Sequence, residues 1–330
     1  MPTTSQAKAP SSAYRYLFGP VASSRLGRSL GLDLLGGPIC SLDCLYCEVG
    51  RTKTHTRTRR RYVPADRLLS ETRSWFQDGH RPPDYITLGG QGEPCLNSDM
   101  GHVVQGLRRE QPSIPVAVLT NSTLLSRPEV QQELASVAAV LPSLDTLVET
   151  EFQQLNRPCP DITAVDVAQG LIDFRAQYTG KIFLEILLVH GINDTAENKK
   201  RLRDFITELS PHRVDVVTMT RPGACSEARP VSPTILRSWR ETFGATMVPE
   251  NTPPEDRDTT DAPSDGQTIA ATITNSLARR PQTAEQLAYA LDLPRSEIAT
   301  TLAALLDQGT VVSLTLSDLP YYGLASSERN

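Results

Sequence analysis

No run in this 330-residue chain is long and apolar enough to cross a bilayer; the most apolar stretch, residues 182–189 (IFLEILLV), is short and carries Glu185. The N-terminal run MPTTSQAKAPSSAYRY lacks the apolar core of a secretory signal. Both absences point to the cytoplasm and away from a membrane. Cysteine is scarce: six residues in the whole chain are too few for a disulfide scaffold. None precedes Cys40, and the chain has no second CxxC and no HxxxH pair. Basic residues are not in excess either. Against 38 Asp and Glu there are 33 Lys and Arg, a formal charge of -5, which argues against a broad nucleic-acid surface. With 39% hydrophobic and 22% charged residues, the composition excludes the disordered and fibrous classes.

What is present is an alternation. From about residue 29 to 244, short β-branched runs alternate with longer segments of helical period, which predicts six βα units and a parallel sheet. The strands are read at 29–35, 85–90, 115–121, 138–145, 181–190 and 213–222. Several are near-continuous apolar runs, as strands covered on both faces are. The expected fold class is therefore α/β, a partly closed TIM-like barrel wrapped by helices, with functional side chains at the strand C-terminal ends. Pro64, Pro128 and Pro233 stand where a first helical turn tolerates a missing N–H. Residues 251–266, NTPPEDRDTTDAPSDG, have no apolar period and read as a solvated linker.

The expected division is a disordered tail at 1–16, a main unit at 17–248, a linker at 249–266 and a small unit at 267–325. The small unit shows helical stretches near 267–279, 284–291 and 295–308, then a turn at Gln308-Gly309 and the strand-like run TVVSLTL. This order resembles a winged helix. From residue 267 on, four arginines face six acidic residues, a balance of -2 that does not favour DNA binding.

The segment GGPICSLDCLYCEVG carries Cys40, Cys44 and Cys47 as C-x3-C-x2-C just after the first strand. One short loop of this kind can offer thiolates to three corners of an iron–sulfur cube. Clusters with structural or electron-transfer roles use four cysteines, so three suggest an exchangeable ligand on the fourth iron. The competing structural reading is a zinc knuckle completed by His55 or Cys95. Structural zinc sites usually pair two short ligand motifs, and this chain has one.

With Tyr46 directly before the third cysteine, CSLDCLYC resembles the signature loop of the radical S-adenosylmethionine (SAM) superfamily. The stretches FGPVASSRLGRSLGLDLL, LGGQGEPCL, LTNSTLL, LPSLDT, NRP at 156–158, LEILLVHGIND and VTMTRPGA resemble one branch of it. That branch holds the 4-demethylwyosine synthase-like proteins and, more distantly, molybdenum-cofactor biosynthesis protein A. The likeness covers roughly residues 17–245, and a terminal winged-helix-like unit also occurs in that branch.

The resemblance implies a partial (βα)6 barrel, a [4Fe-4S] cluster on Cys40, Cys44 and Cys47, and SAM chelated by the open iron. An electron from the reduced cluster would cleave the sulfonium, and the 5'-deoxyadenosyl radical would abstract a substrate hydrogen. An electron donor such as ferredoxin or flavodoxin is implied with it. By the same resemblance Tyr46 lies beside the cofactor, Gly90, Gly92 and Glu93 form the motif that meets the SAM amino group, and Asn121 and Ser143 meet its ribose or carboxylate. Cys95 stands where related sequences have threonine.

Glu185 is singled out by the residues themselves. It interrupts the apolar run of the fifth strand, where an unpaired buried carboxylate costs several kcal/mol, and alternation puts it on the lumen face with Phe183 and Leu187. A ligand contact and a structural ion pair both fit. Arg51, Lys53, Arg57, Arg59, Arg60 and Arg61 form a basic stretch after the cysteine loop, placed to meet a substrate phosphate, an RNA backbone or an acidic electron donor, or to be a solvated loop. Arg221 is a second candidate for an anionic substrate group. Cys159 and Cys225 carry no motif.

Three functions compete. The first is a radical SAM enzyme acting on a small molecule, a peptide or a modified nucleotide. The second is a 4-demethylwyosine synthase-like tRNA enzyme; such proteins carry further cysteines upstream of the SAM loop, which this chain lacks. The third is a cluster-based redox sensor that binds nucleic acid. A sensor needs no GGQGEP strand end.

Overall fold

The computed structural model describes residues 14–23, 25–221, 223–245, 269–277, 281–291, 293–316 and 319–325. The expected linker at 249–266 and residues 1–13 of the expected tail lie outside these. Tyr14 and Tyr16 correct the tail boundary. The Tyr14 hydroxyl donates to Asp78, the Tyr16 N–H donates to Glu71 at 2.8 Å, and the Tyr16 carbonyl accepts from the Asp33 N–H at 2.8 Å.

Seven strands form one sheet in the order β1-β2-β5-β6-β7-β8-β9. These are β1 (Leu17–Ser23), β2 (Gly27–Asp33), β5 (Tyr85–Gly89), β6 (Val116–Thr120), β7 (Ala139–Pro142), β8 (Lys181–Leu188) and β9 (Arg213–Thr218). From β2 onward all neighbours run parallel. Each expected strand is present. Between them lie β3 (Ile39–Cys40), β4 (Thr54–His55) and the helices α1 (Ala65–Gln77), α2 (Met100–Glu110), α3 (Pro128–Leu134), α4 (Glu149–Asn156), α5 (Ala164–Gln177), α6 (Ala196–Leu209) and α7 (Pro233–Phe243). The six parallel strands keep chain order and the edges β1 and β9 do not pair, so the sheet is an open (βα)6 barrel.

β1 is the strand that the sequence hid. It runs antiparallel to β2 with a register shift between Phe18 and Val21. Gly19 and Pro20 inside it read as a turn, but an edge strand tolerates proline because one row of its N–H groups has no ladder partner. Phe18 packs where a Cβ on Gly31 would sit, which explains a glycine in the middle of β2. β2 itself stops at Asp33, two residues early. The Asp33 carboxylate accepts from the N–H groups of Leu35 and Gly36 at 3.1 and 3.2 Å and turns the chain out of the sheet.

Alternation along β8 sets the two sides of the barrel wall. Ile182, Leu184, Ile186 and Leu188 are fully buried against the helices, while Phe183, Glu185 and Leu187 are half-buried on the lumen side. Each buried aliphatic side chain contributes about 1.5–3 kcal/mol. At the lumen floor Leu26, Ala117, Ala139 and Leu141 pack with Leu119 and Phe183. Pro128 and Pro233 open α3 and α7, while Pro64 is the residue before α1. Thr163, Thr195 and Ser232 cap α5, α6 and α7 through their hydroxyls.

The C-terminal residues form α8 (Ile269–Leu277), α9 (Ala284–Leu291), α10 (Arg295–Asp307) and an antiparallel hairpin of β10 (Val311–Leu316) and β11 (Leu319–Leu324). Their core, with Ile273, Leu287, Ile298 and Leu302 at its centre, is separate from the barrel core. Gln282 exchanges two backbone bonds with Tyr322 and extends the hairpin. Among the described residues no helix is long and apolar enough to cross a membrane.

Candidate cluster and cofactor site

The loop that leaves β2 carries the three cysteines across the mouth of the barrel. Cys40 ends β3, which pairs with β4 so that Cys40 lies opposite His55. The His55 ring bonds the Ser41 carbonyl oxygen at 3.1 Å. Asp43, inside the motif, staples the loop: its carboxylate accepts from the Thr52 N–H at 2.9 Å and from Arg51 at 2.8 Å. From the other side the end of α4 laces on, with Leu45 N–H to the Leu155 carbonyl at 2.9 Å, Asp43 N–H to the Asn156 carbonyl at 3.0 Å and Cys159 N–H to the Ser41 carbonyl at 2.9 Å.

The glycine motif after β5 braces the same loop. Gly92 bridges Ile39, and the Glu93 N–H donates to the Ile39 carbonyl at 3.1 Å. A Cβ on Gly92 would overlap that carbonyl, so the close approach this glycine permits is to β3 itself. Gly90, at φ +113°, turns beneath Asp33, where a Cβ would stand 2.8 Å from the Asp33 side chain.

Glu93 is buried and well satisfied. One oxygen accepts from the Cys95 N–H at 3.0 Å and the Thr120 hydroxyl at 2.8 Å, and the other from the Asn121 N–H at 2.6 Å. Burial pushes its pKa up, against the lowering by those three donors. Cys95 lies fully buried beneath it, with its thiol 3.6 Å from the Thr120 hydroxyl.

Of the ten residues read as cluster ligands or SAM contacts, all but Cys44 border one cavity of about 270 Å³. Cys44 lies behind it, against the Asn156 amide at 3.4 Å. Four polar cavity residues were missed: Arg25, Thr120, Asp145 and Asn156. Asp145 stands two residues past Ser143 in the LPSLDT stretch, and Asn156 opens NRP; the signal was a carboxylate at a strand end and an amide at a helix end. The Asp145 carboxylate accepts from the Tyr46 hydroxyl at 2.5 Å, Asn156 at 2.9 Å and the Leu187 N–H at 2.9 Å. Burial raises its pKa to about 6. Glu185 faces the lumen as expected, bonded by Arg25 from the β1–β2 turn.

The two basic candidates lie outside the cavity lining. The basic stretch is engaged within the fold: Arg51 with Asp43, Arg57 with the carbonyls of Pro160 and Asp161, Arg59 with Glu133 at 2.5 Å, Arg60 over the Tyr62 ring and Arg61 with Asp99 at 2.8 Å. Lys53 also has a partner. Arg221 points to Glu48, at 3.0 and 3.1 Å, beside Cys47 and outside the cavity lining. Beyond it Gly223 packs against the Tyr46 backbone, where a Cβ would stand at 2.8 Å.

The donor set fits an iron–sulfur cluster. Burial pushes the Cys40 thiol up to about 12, Cys44 well above its ordinary value, and Cys47 upward. Three thiolates beside two buried carboxylates need positive charge, and cluster iron supplies it. Asn121 directs an amide N–H to the Cys40 sulfur at 3.3 Å, as Asn156 does to Cys44. Three thiolates on one short loop suit three corners of a cube, whereas a structural zinc site takes four protein ligands.

An open parallel barrel with such a loop on its first parallel strand is the frame of a cluster-dependent enzyme. The Radical SAM superfamily model matches residues 34–201, and the chain belongs to that superfamily, whose enzymes use a [4Fe-4S] cluster and SAM. It is 33% identical over 236 residues to UPF0026 protein MJ1312 of Methanocaldococcus jannaschii, a match covering 70% of this chain and 73% of that protein. It is 30% identical over 298 residues to a Brachyspira hyodysenteriae protein named GTPase Obg. That match takes in 89% of this chain but only 43% of the relative. A shorter stretch of 104 residues, 31% of this chain and 28% of the relative, is 32% identical to the GTP 3',8-cyclase of Paenarthrobacter nicotinovorans. In fold, the chain resembles a radical SAM methyltransferase from Sphaerobacter thermophilus, with a TM-score of 0.51 at 17% identity over 66% of this chain and 63% of that one.

Proposed function

We propose that this chain reductively cleaves SAM and uses the resulting 5'-deoxyadenosyl radical to abstract hydrogen from a small molecule, a peptide or a modified nucleotide. The observation that carries the reading is the meeting, in one cavity at the strand ends, of the cysteine loop with the glycine motif, Asn121, Ser143 and Asp145. Cys40, Cys44 and Cys47 would hold the cluster. When bound, that group supplies the single electron that breaks the sulfonium bond.

The chain's own residues do the rest. The backbone at Gly90 and Gly92 with Glu93 would receive the SAM amino group, Ser143 its carboxylate or ribose with Asn121 bordering the same group, and Tyr46 would border the nucleoside. Glu93 keeps room for this on the oxygen that accepts only from Asn121. Glu185 would face SAM with the carboxylate oxygen that Arg25 leaves, since the Arg25 bond uses Oε2. The apolar floor of Leu119 and Leu141 excludes water from a radical formed above it.

An electron donor such as ferredoxin or flavodoxin would reduce the cluster. The C-terminal helices and hairpin, read as a winged-helix-like domain after a linker, would dock a partner or cover the barrel. The substrate would be a phosphorylated small molecule or RNA, met outside the cavity by the exposed Arg51, Arg57 and Arg60.

The test is anaerobic reconstitution of the full chain followed by reduction with dithionite in the presence of SAM. Wild type is expected to form 5'-deoxyadenosine and Cys44→Ala none. A folded protein with one tightly held zinc and no SAM cleavage would overturn the reading.

A further inference from the structure

Two asparagines stand in matched positions on either side of the cysteine loop. Asn121 follows β6 and Asn156 ends α4, 35 residues apart, yet each points its amide nitrogen at a different cysteine sulfur, at 3.3 Å for Cys40 and 3.4 Å for Cys44. Cys47 has no such side chain and takes its hydrogen bonds from the backbone of Val49 and Gly50.

Neither amide is free to flip. The Asn121 oxygen accepts from the Thr123 N–H at 3.1 Å and the Thr123 hydroxyl at 2.8 Å, so its nitrogen must face Cys40 and Ser41. The backbone N–H of the same residue is anchored on Glu93 at 2.6 Å. On the other side Asp145 accepts only, and it holds the Asn156 nitrogen at 2.9 Å. Reversing that amide would set oxygen against carboxylate oxygen. The cost of the arrangement is visible, because the Asn156 oxygen is buried with no hydrogen-bond partner. Leaving a buried acceptor unmet costs about 1–3 kcal/mol. The nitrogen is held by three neighbours, Asp145 at 2.9 Å, the Cys44 sulfur at 3.4 Å and the Tyr46 hydroxyl at 3.5 Å.

We propose that Asn121 and Asn156 are a pair of N–H···S donors that set the reduction potential of the cluster, each held in aim by a buried carboxylate, Glu93 for one and Asp145 for the other. The inference rests on the reading of Cys40, Cys44 and Cys47 as cluster ligands. Reduction adds one electron and one negative charge to the cluster and breaks no bond. Donors aimed at the thiolates stabilise the more negative, reduced form, as hydrogen bonds to cluster sulfurs do in general. They act through the cysteines and are positioning residues.

The experiment uses the reconstituted full-length protein without SAM, reduced with dithionite. With ¹⁵N-asparagine incorporated, pulsed electron paramagnetic resonance of the reduced wild-type cluster is expected to show two weak ¹⁵N couplings carried across the N–H···S bonds. In Asn156→Ala and Asn121→Ala one coupling is lost each time. Each lost bond makes reduction about tenfold less favourable, or ~59 mV more negative for one electron. A wild-type cluster with no ¹⁵N-asparagine coupling overturns the proposal, and so do two variants that hold the cluster at the wild-type potential. If the variants take up no iron, the wild-type coupling alone decides. A wild type that assembles no cluster, recognised by iron analysis, removes the underlying reading as well.

Discussion

Gly92 sits against Ile39 so closely that a methyl group on it would occupy the place of the Ile39 carbonyl oxygen. That contact joins the loop after β5 to the strand that ends in Cys40. The obstacle is backbone, which cannot step aside as a flexible side chain would.

Gly92→Ala is therefore expected to lose about 1–3 kcal/mol of stability and to bind less iron on reconstitution than wild type. Gly89→Ala is the control, since a Cβ there meets nothing nearer than Leu119 at 3.9 Å. Denaturant midpoints and iron content for the two variants check this. Equal iron content in both would show that the Gly92 contact does not place Cys40.

Arg59 illustrates how one stretch of charge can hide a structural residue. Its side chain is 9% exposed and donates to the carbonyls of Cys95 and Asn97 and to Glu133, so it ties the segment after the cysteine loop to α3. Arg59→Ala leaves a half-buried carboxylate and two carbonyls unmet, at a cost of about 1–3 kcal/mol. Arg51, paired with Asp43 but 62% exposed, is expected to cost under about 1 kcal/mol. Urea denaturation of the two alanine variants separates them, and similar losses would refute the distinction.

The six parallel strands were legible because most carry a continuous or alternating apolar run, a property of neighbouring residues. β1 was not, since Gly19-Pro20 carries the local signal of a turn and only the sheet edge makes it a strand. The cysteine loop was legible from spacing. Asp145 and Asn156 were not, because their roles arise where the end of β7 meets the end of α4, and no periodicity records that meeting. The partners of the basic stretch were hidden for the same reason: Arg59 and Arg61 find Glu133 and Asp99 across tens of residues. Gly92 was singled out through its motif, while its contact with Ile39 came only from the fold.

Asp145 gives the apoprotein a pH dependence of predictable sign. Burial raises its pKa to about 6 in the fold, against 3.8 in the unfolded chain. Between those values the folded state binds the proton and the unfolded state does not, so stability falls as pH rises through the window. Above pH 6 the penalty is fully present; below pH 4 it is gone. A difference of that size between the folded and unfolded carboxyl corresponds to about 3 kcal/mol. Urea denaturation of the iron-free wild type should show more stability at pH 4.5 than at pH 7.5, relative to Asp145→Asn, which cannot ionise. Glu93, also raised by burial, is common to both proteins and cancels in the difference. A difference between the two proteins that does not change with pH would mean that Asp145 ionises in the fold as it does in water.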